Sequence, residues 1–302
     1  MNSNIVVVGS LNMDIVISAG RMPKLGETIL GESVTYLPGG KGANQAVGAA
    51  KLGSSVKLAG AVGQDAFGKS ILEQLKKVKV DTELVRTVPG TSTGVANIFH
   101  VENDNCITVI PGANYSYTPE LAAEQLDSIF HEAGVLVVQL EIPLETVQFM
   151  LSEAKKRGIK TILNPAPARH LSPQLLAGVD YLTPNETELA TLLGHEIGSE
   201  EELEMSMAKW QETYGNTLVV TLGEKGCAYL ENGKIKVIPP RKVNVVDTTG
   251  AGDAFNAALA YSVSLGLPLD TGVSFAVKVS SLSVTKFGAQ EGMPYLHEMT
   301  EN

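Results

Sequence analysis

Near-continuous runs of Val, Ile and Leu recur along this chain and constrain it most: Ile5 to Val8, Val56 to Val62, Val135 to Leu140, Thr161 to Leu163, Tyr181 to Leu182 and Leu218 to Leu222. Between most of them lie stretches with helical patterning, such as Ala43 to Leu52, Ser70 to Lys77, Leu144 to Arg157 and Glu186 to Leu193. A strand that is apolar on both sides needs cover on both faces, and strands that alternate with helices pair in parallel through crossovers. The pattern predicts an α/β fold, a doubly wound and mostly parallel sheet flanked by helices. With 302 residues, 44% of them hydrophobic, one core of this kind can be filled, so residues 1-302 read as a single domain.

Two segments, about 12-37 and 91-110, break that rhythm. Short β-prone pieces (DIVIS, TILGESVTYL, GVANIF, CITVI) are separated there by turn residues such as Pro23, Gly26, Gly31 and the run Glu102-Asn103-Asp104-Asn105. Neither segment could bury a core alone, so the two are expected to pair into one small β-sheet that covers an edge of the main domain as a lid.

Composition excludes several classes of protein. No apolar run approaches the roughly 20 residues a membrane helix needs, and MNSNIVVVGS reads as a first buried strand rather than an export signal. Cys106 and Cys227 stand far apart without metal-ligand spacing, as expected for a cytoplasmic chain without disulfides or zinc. A net charge of -10 argues against a nucleic-acid or membrane partner, and any anionic ligand must be held by local groups.

Ligands of open α/β sheets bind outside the carboxyl ends of the strands, so the residues that follow each apolar run are informative. They are Ser10-Leu11-Asn12-Met13-Asp14, Glu141, Asn164-Pro165-Ala166-Pro167-Ala168, Asn185-Glu186-Thr187-Glu188 and Gly223-Glu224-Lys225-Gly226. Together they could line one cleft, although each taken alone also suits a helix cap or a turn.

Two glycine-rich segments are more specific. In Gly39-Gly40-Lys41-Gly42-Ala43-Asn44, just before a helix, glycines would allow close backbone approach to a bound molecule, and Lys41 and Asn44 offer groups suited to sugar hydroxyls. The second, Asp247-Thr248-Thr249-Gly250-Ala251-Gly252-Asp253, leads into an amphipathic stretch from Ala254 to Leu265. Small residues at a helix start leave N–H groups aimed at one point with the helix dipole behind them, which makes an anion hole of Gly250, Ala251 and Gly252. A carboxylate at the end of that hole repels a resting phosphate. It makes sense if Asp253 takes a proton from an attacking hydroxyl while the amides stabilise the phosphoryl group in transfer.

The segment Gly63-Gln64-Asp65-Ala66-Phe67-Gly68-Lys69-Ser70 matches the G-x-x-x-x-G-K-[ST] phosphate-loop pattern literally. Asp65 would place a negative charge inside a loop that wraps polyphosphate, and Phe67 is bulky, so the match reads as coincidence.

GGKGANQA at Gly39 to Ala46 and DTTGAGDAF at Asp247 to Phe255 resemble the two signature regions of the ribokinase family of carbohydrate kinases. SLNMD, QLEIP, NPAPA, PNETE, TLGEKG and KFGAQ follow in the family's order over nearly the whole chain, and the family's VG-x-D-x-FG element is not a phosphate loop. The resemblance implies ATP-dependent phosphorylation of D-ribose at its 5-hydroxyl with Asp253 as base. It implies that Asn12, Met13, Asp14, Gly40, Lys41, Gly42, Ala43, Asn44 and Glu141 hold the sugar. ATP would face Asn185, Thr221, Leu222, Gly223, Glu224, Lys225, Gly226 and Gly252, and Glu188 would help organise magnesium. Activation by potassium would place Asp247, Thr249, Ser283, Lys286 and Gly288 around that ion, and pairing of lids would make a homodimer. Two positions depart from the family pattern: Val277 stands where an Asn or His often lies beside adenine, and Gly292 where a hydroxyl often completes the potassium shell. Alternatives are a kinase for fructose, deoxyribose or adenosine, or a catalytically silent sugar-sensing module.

Overall fold

A computed structural model describes residues 4–101 and 104–299. In chain order β1 (Asn4–Val8), β2 (Asn12–Ser18) and β3 (Ser33–Gly39) lead into α1 (Lys41–Lys51), and β4 (Ser55–Gly63) into α2 (Ala66–Lys77). Next come β5 (Val85–Val88), β6 (Gly94–Val101), β7 (Asp104–Ile110), α3 (Pro119–Glu124), α4 (Leu126–Phe130), β8 (Val135–Val138) and α5 (Leu144–Lys156). The chain continues through β9 (Lys160–Leu163), α6 (Pro173–Leu176), β10 (Tyr181–Leu182), α7 (Glu186–Leu193) and α8 (Glu200–Tyr214). It ends with β11 (Thr217–Thr221), β12 (Cys227–Glu231), β13 (Lys234–Ile238), α9 (Ala251–Ser264), α10 (Leu269–Ser283) and α11 (Ala289–Gly292).

Nine strands form one sheet in the order β13-β12-β11-β10-β9-β8-β1-β4-β5, parallel from β11 to β5 and antiparallel across the β11-β12-β13 edge. Alternation along β1 shows why its run is uniformly apolar. Ile5 and Val7 join a core with α1, α9 and α10, while Val6 and Val8 join a second core with α5 and α8 on the opposite face. Three strands went unread in the sequence. In β5 and β13 charged residues interrupt the apolar run, because these strands lie at the sheet edges, and β12 is a short apolar piece closed by Glu231.

Strand order reverses at β1, which pairs with β4 on one side and β8 on the other. Residues after β1 and β8 therefore flank the crevice where such sheets bind ligands. A second sheet of four strands, ordered β3-β2-β6-β7, grows out of the same place, because only three residues separate β1 from β2. Its central pair, β2 with β6, is parallel, and β3 and β7 flank it in antiparallel register. Thr28 to Gly31, expected in a strand, lie outside β3. Glu102 and Asn103 of the expected turn lie outside the described residues.

Candidate active site

The crevice is built on two helix starts that meet. At the head of α1, Gly40 is the N-cap with φ of 88°, and a Cβ there would lie 2.7 Å from the Asn12 amide nitrogen. A Cβ at Gly42 would lie 2.6 Å from the Gly9 carbonyl carbon. The close approach expected of this glycine segment is thus made to the chain's own backbone at 9–12, and it seats α1 against the end of β1. At the head of α9, Gly250 is the N-cap, so the helix begins at Ala251, three residues earlier than its apolar pattern suggested, and Asp253 falls in its first turn. Among the described residues nothing accepts a hydrogen bond from the amides of Gly252 and Asp253, and a Cβ at Gly252 would meet open space.

α1 and α9 approach so closely that a Cβ on Gly48 would lie 2.7 Å from the Ala257 Cβ. One turn towards the helix starts, Asn44 Nδ2 donates to Asp253 Oδ2 at 2.9 Å and Gln45 Nε2 donates to Asp253 Oδ1 at 2.9 Å. Asp253 is buried, 6% exposed, and burial pushes its carboxyl up from the usual carboxylate range, opposed by Lys41 and by the Asn44 and Gln45 donors. Burial pulls the Lys41 ammonium down, but Asp253, Glu141, Glu188 and Asp14 around it more than reverse that effect. Asp14 is pushed up to about 7 by burial and by the Glu141 and Asp253 charges. Burial also raises Glu188. The site is an acidic enclosure neutralised in part by one lysine.

Three cavities open around Asp253 and the helix starts. A small polar one of about 190 Å³ is lined by Lys41, Asn164, Asn185, Glu188, Thr221, Thr248, Gly250 to Asp253 and Asn256, among others. It shares Asn185, Thr221, Ala251 and Gly252 with a larger cavity of about 500 Å³, whose wall is apolar at Val243, Val245, Phe255, Val277 and Val284 and also includes Gly223, Glu224 and Gly226. A third, of about 370 Å³, lies between the small sheet, at Asp14, Val16 and Ile98, and the loops holding Asp247, Thr249 and Gly288.

Sequence expectation and position agree unevenly. Asn12 and Glu141 sit at the crevice but are already engaged: Asn12 Oδ1 accepts from Asn114 Nδ2 at 2.7 Å, and Glu141 Oε2 accepts from the Ser10 hydroxyl at 2.5 Å and the Lys41 amide at 3.1 Å. Met13 and Ala43 are core residues. Leu222 is buried in the core and Lys225 is exposed, and neither lines the larger cavity. Asn185 and Glu188 form a capping box at the start of α7 while also bordering the small cavity. Ser283 and Lys286 line none of the three cavities; the Ser283 hydroxyl donates to Ser280 O and Lys286 Nζ pairs with Glu298. Sequence reasoning gave no role to Gln45, Thr183, Asn256 and Gln290, whereas Asn164, expected at the cleft, lines the small cavity. Asn256 Nδ2 donates to Gly252 O at 2.8 Å and takes the Thr183 hydroxyl on its Oδ1 at 2.6 Å, bracing the α9 start. Asn164 alone carried a signal, its place at the end of β9.

The Gly63 to Ser70 segment is no phosphate loop. Asp65 Oδ1 accepts from Gly68 N and the Thr93 hydroxyl, its Oδ2 accepts from Thr93 N, and the Lys69 side chain is 79% exposed. Partial burial works against ionisation of Asp65, yet these donors hold its carboxyl below the usual range.

The model of the pfkB family of carbohydrate kinases matches residues 2–296. The chain belongs to that family. This carbohydrate kinase is 43% identical over 298 residues to the ribokinase of Lactococcus lactis subsp. lactis, covering 98% of this chain and 96% of that protein. It is equally 43% identical, over 298 residues, to the ribokinase of Bacillus subtilis, covering 99% and 98%. Its fold superposes on the structure of Arabidopsis thaliana ribokinase complexed with ribose and ATP with a TM-score of 0.93, at 35% identity, covering 100% of this chain and 98% of the other. In this kinase fold Asp253 stands at the start of α9, where the two glycine-rich segments meet.

Proposed function

We propose that this protein transfers the terminal phosphate of ATP to the 5-hydroxyl of D-ribose. The observation that carries the reading is the buried Asp253 in the wall of a small polar cavity that opens into a larger, mainly apolar one. The larger cavity has the size and lining for adenosine, and the small one, with the free amides at the α9 start, suits the phosphates. On this reading the sugar enters beneath the small sheet, which acts as a lid, and Asp14 accepts hydrogen bonds from its hydroxyls. Asp253 takes the proton of the 5-hydroxyl, its raised basicity suiting it to that task, while the turn Gly250-Ala251-Gly252 directs the free N–H groups of Gly252 and Asp253 at the phosphoryl oxygens, the Ala251 N–H being held by Thr248 O at 3.2 Å. Lys41, held as a cation, offsets charge between base and phosphate.

Magnesium on the ATP phosphates would neutralise charge and orient the transferred group. Glu188 offers a hard oxygen ligand in the wall of the small cavity. The loops at 247–249 and 283–288 would hold a potassium ion: Asp247 ties them together by accepting from Thr249 N and Gly288 N, both at 2.9 Å, and main-chain carbonyls there would supply oxygen ligands. Gly292 adds no hydroxyl there. Val277 in the wall of the larger cavity leaves the base held by apolar packing. A homodimer through the lid and a cytoplasmic location belong to the same reading; exposed Val34 and Tyr36 on the lid support the first, and the free, exposed Cys106 thiol supports the second.

The test is ADP release with magnesium, potassium and ATP against ribose, 2-deoxyribose, fructose, adenosine and no sugar, with Asp253→Asn as control. Ribose-dependent release should fall by about 10²–10⁴-fold in the variant while ribose binding by calorimetry persists. Turnover in Asp253→Asn equal to the parent's would remove Asp253 as base, and release only with another sugar would change the substrate.

A further inference from the structure

Asp253 is approached by carboxamides stacked two deep. Each of its oxygens accepts from one amide nitrogen, Asn44 Nδ2 or Gln45 Nε2. A carboxamide has nearly the same shape either way round, but one end attracts a carboxylate and the other repels it. The orientation of Asn44 is therefore decided behind it, and that of Gln45 by the residue behind it together with Asn164 Oδ1, which accepts from Gln45 Nε2 at 3.3 Å. Gln290 Nε2 donates to Asn44 Oδ1 at 3.0 Å, and Gln139 Nε2 donates to Gln45 Oε1 at 2.7 Å. Each rear glutamine occupies the oxygen of the front amide, which leaves the front nitrogen for Asp253. Gln139 is fully buried, and among the described residues its Oε1 has no hydrogen-bond partner. Turning Gln139 over would place its oxygen against Gln45 Oε1, so Gln45 would have to turn as well and bring an oxygen onto the carboxylate. An unpaired buried acceptor is tolerated where the alternative sets a lone pair against an anion.

We propose that Gln139 and Gln290 are positioning residues for phosphoryl transfer, fixing which end of Gln45 and Asn44 faces Asp253 so that the base is presented as an acceptor to the sugar hydroxyl. The inference rests on Asp253 being the base. Neither glutamine lines any of the three cavities, and they act on the reaction through Gln45 and Asn44.

The test compares Gln139→Met, Gln139→Glu, Gln290→Met and Gln290→Glu, with kcat and ribose KM measured across pH and folding checked by thermal melting. Methionine removes the lock, and glutamate keeps the shape but can only accept, so it draws the front amide nitrogen away from Asp253. The methionine variants should lose about 10-fold in kcat with ribose KM changed by less than about 3-fold, and the glutamate variants should lose more. Loss of donors to the ionised carboxylate should also move the acid limb of kcat/KM to higher pH. The other charged groups facing Asp253, namely Lys41, Glu141, Asp14 and Glu188, are the same in all variants. Glutamate variants more active than methionine variants, or an equal loss at every pH, would mean that only packing matters and would overturn the proposal. Should substitution at Gln139 prevent folding, the Gln290 pair decides alone. Parent-like rates in the glutamine variants together with an inactive Asp253→Asn would sink this inference and leave the base standing, whereas an active Asp253→Asn would sink the base itself.

Discussion

Asp14 lies where Gly39 leaves room: a Cβ on Gly39 would come within 2.2 Å of its carboxylate. Held at about 7 rather than 3.8, Asp14 binds a proton in the folded protein at pH values where the unfolded chain has lost it. Stability therefore falls as pH rises from about 4 to about 7, because the native state must ionise a buried acid beside Glu141 and Asp253. Three pKa units correspond to at most about 4 kcal/mol. Asp14→Asn should raise the melting temperature at pH 8, with the gain fading towards pH 4, and should weaken ribose binding in calorimetry. A melting temperature shifted equally at both pH values would refute the assignment of the strain to this carboxylate. Such a site trades stability for an acceptor poised to meet hydroxyls.

In the proposed reaction α1 and α9 act as a unit, and their spacing depends on Gly48. A valine there would collide with Ala257 Cβ and with Met293 Sδ, the latter 2.9 Å from the added Cβ. Gly48→Val should lower stability by about 1–3 kcal/mol in chemical denaturation and reduce kcat, since Asn44 and Gln45 would be carried off Asp253. ATP affinity should change less, because the larger cavity is lined by other elements. The start of α2 looks like a phosphate site in sequence and is a structural joint in space. Its Asp65 caps the helix and ties it to Thr93, just before β6. Lys69→Ala should leave ATP KM unchanged within about 2-fold in steady-state kinetics, as expected for a solvated side chain. A large rise would contradict the structural role.

For the whole molecule, the proposed closure and assembly both turn on the small sheet. It is joined to the main sheet through the short turn between β1 and β2, and exposed Val34 and Tyr36 stand on its edge strand β3. A second copy is the partner we expect to cover them. Light scattering should give twice the chain mass for the parent and the chain mass for Tyr36→Asp, with the lid opening more freely and ribose KM higher in the monomer. A parent that scatters as a monomer would remove the assembly from the reading. With a net charge of -10, the proposed site would draw the phosphates in by the α9 start and Lys41 against the general field of the protein.

The sequence by itself determined the layered α/β plan. Two-sided burial leaves an unbroken apolar signature, and β10 and α7 fall on the residues that patterning assigned to them. It also located the glycine segment that leads into α9, since glycines next to a carboxylate before a helix have a local chemical meaning. The α9 boundary was misplaced by three residues because Gly250 caps the helix in a left-handed conformation that composition does not display. Tertiary structure alone decided that β2 pairs in parallel with β6, and that Asn44 and Gln45 reach Asp253 across 209 and 208 residues of chain. It alone brought Gln139 and Gln290 behind them. Local patterns report burial and backbone conformation, which depend on near neighbours. An amide's partner depends on how closely two helices approach, which here follows from a missing side chain at Gly48.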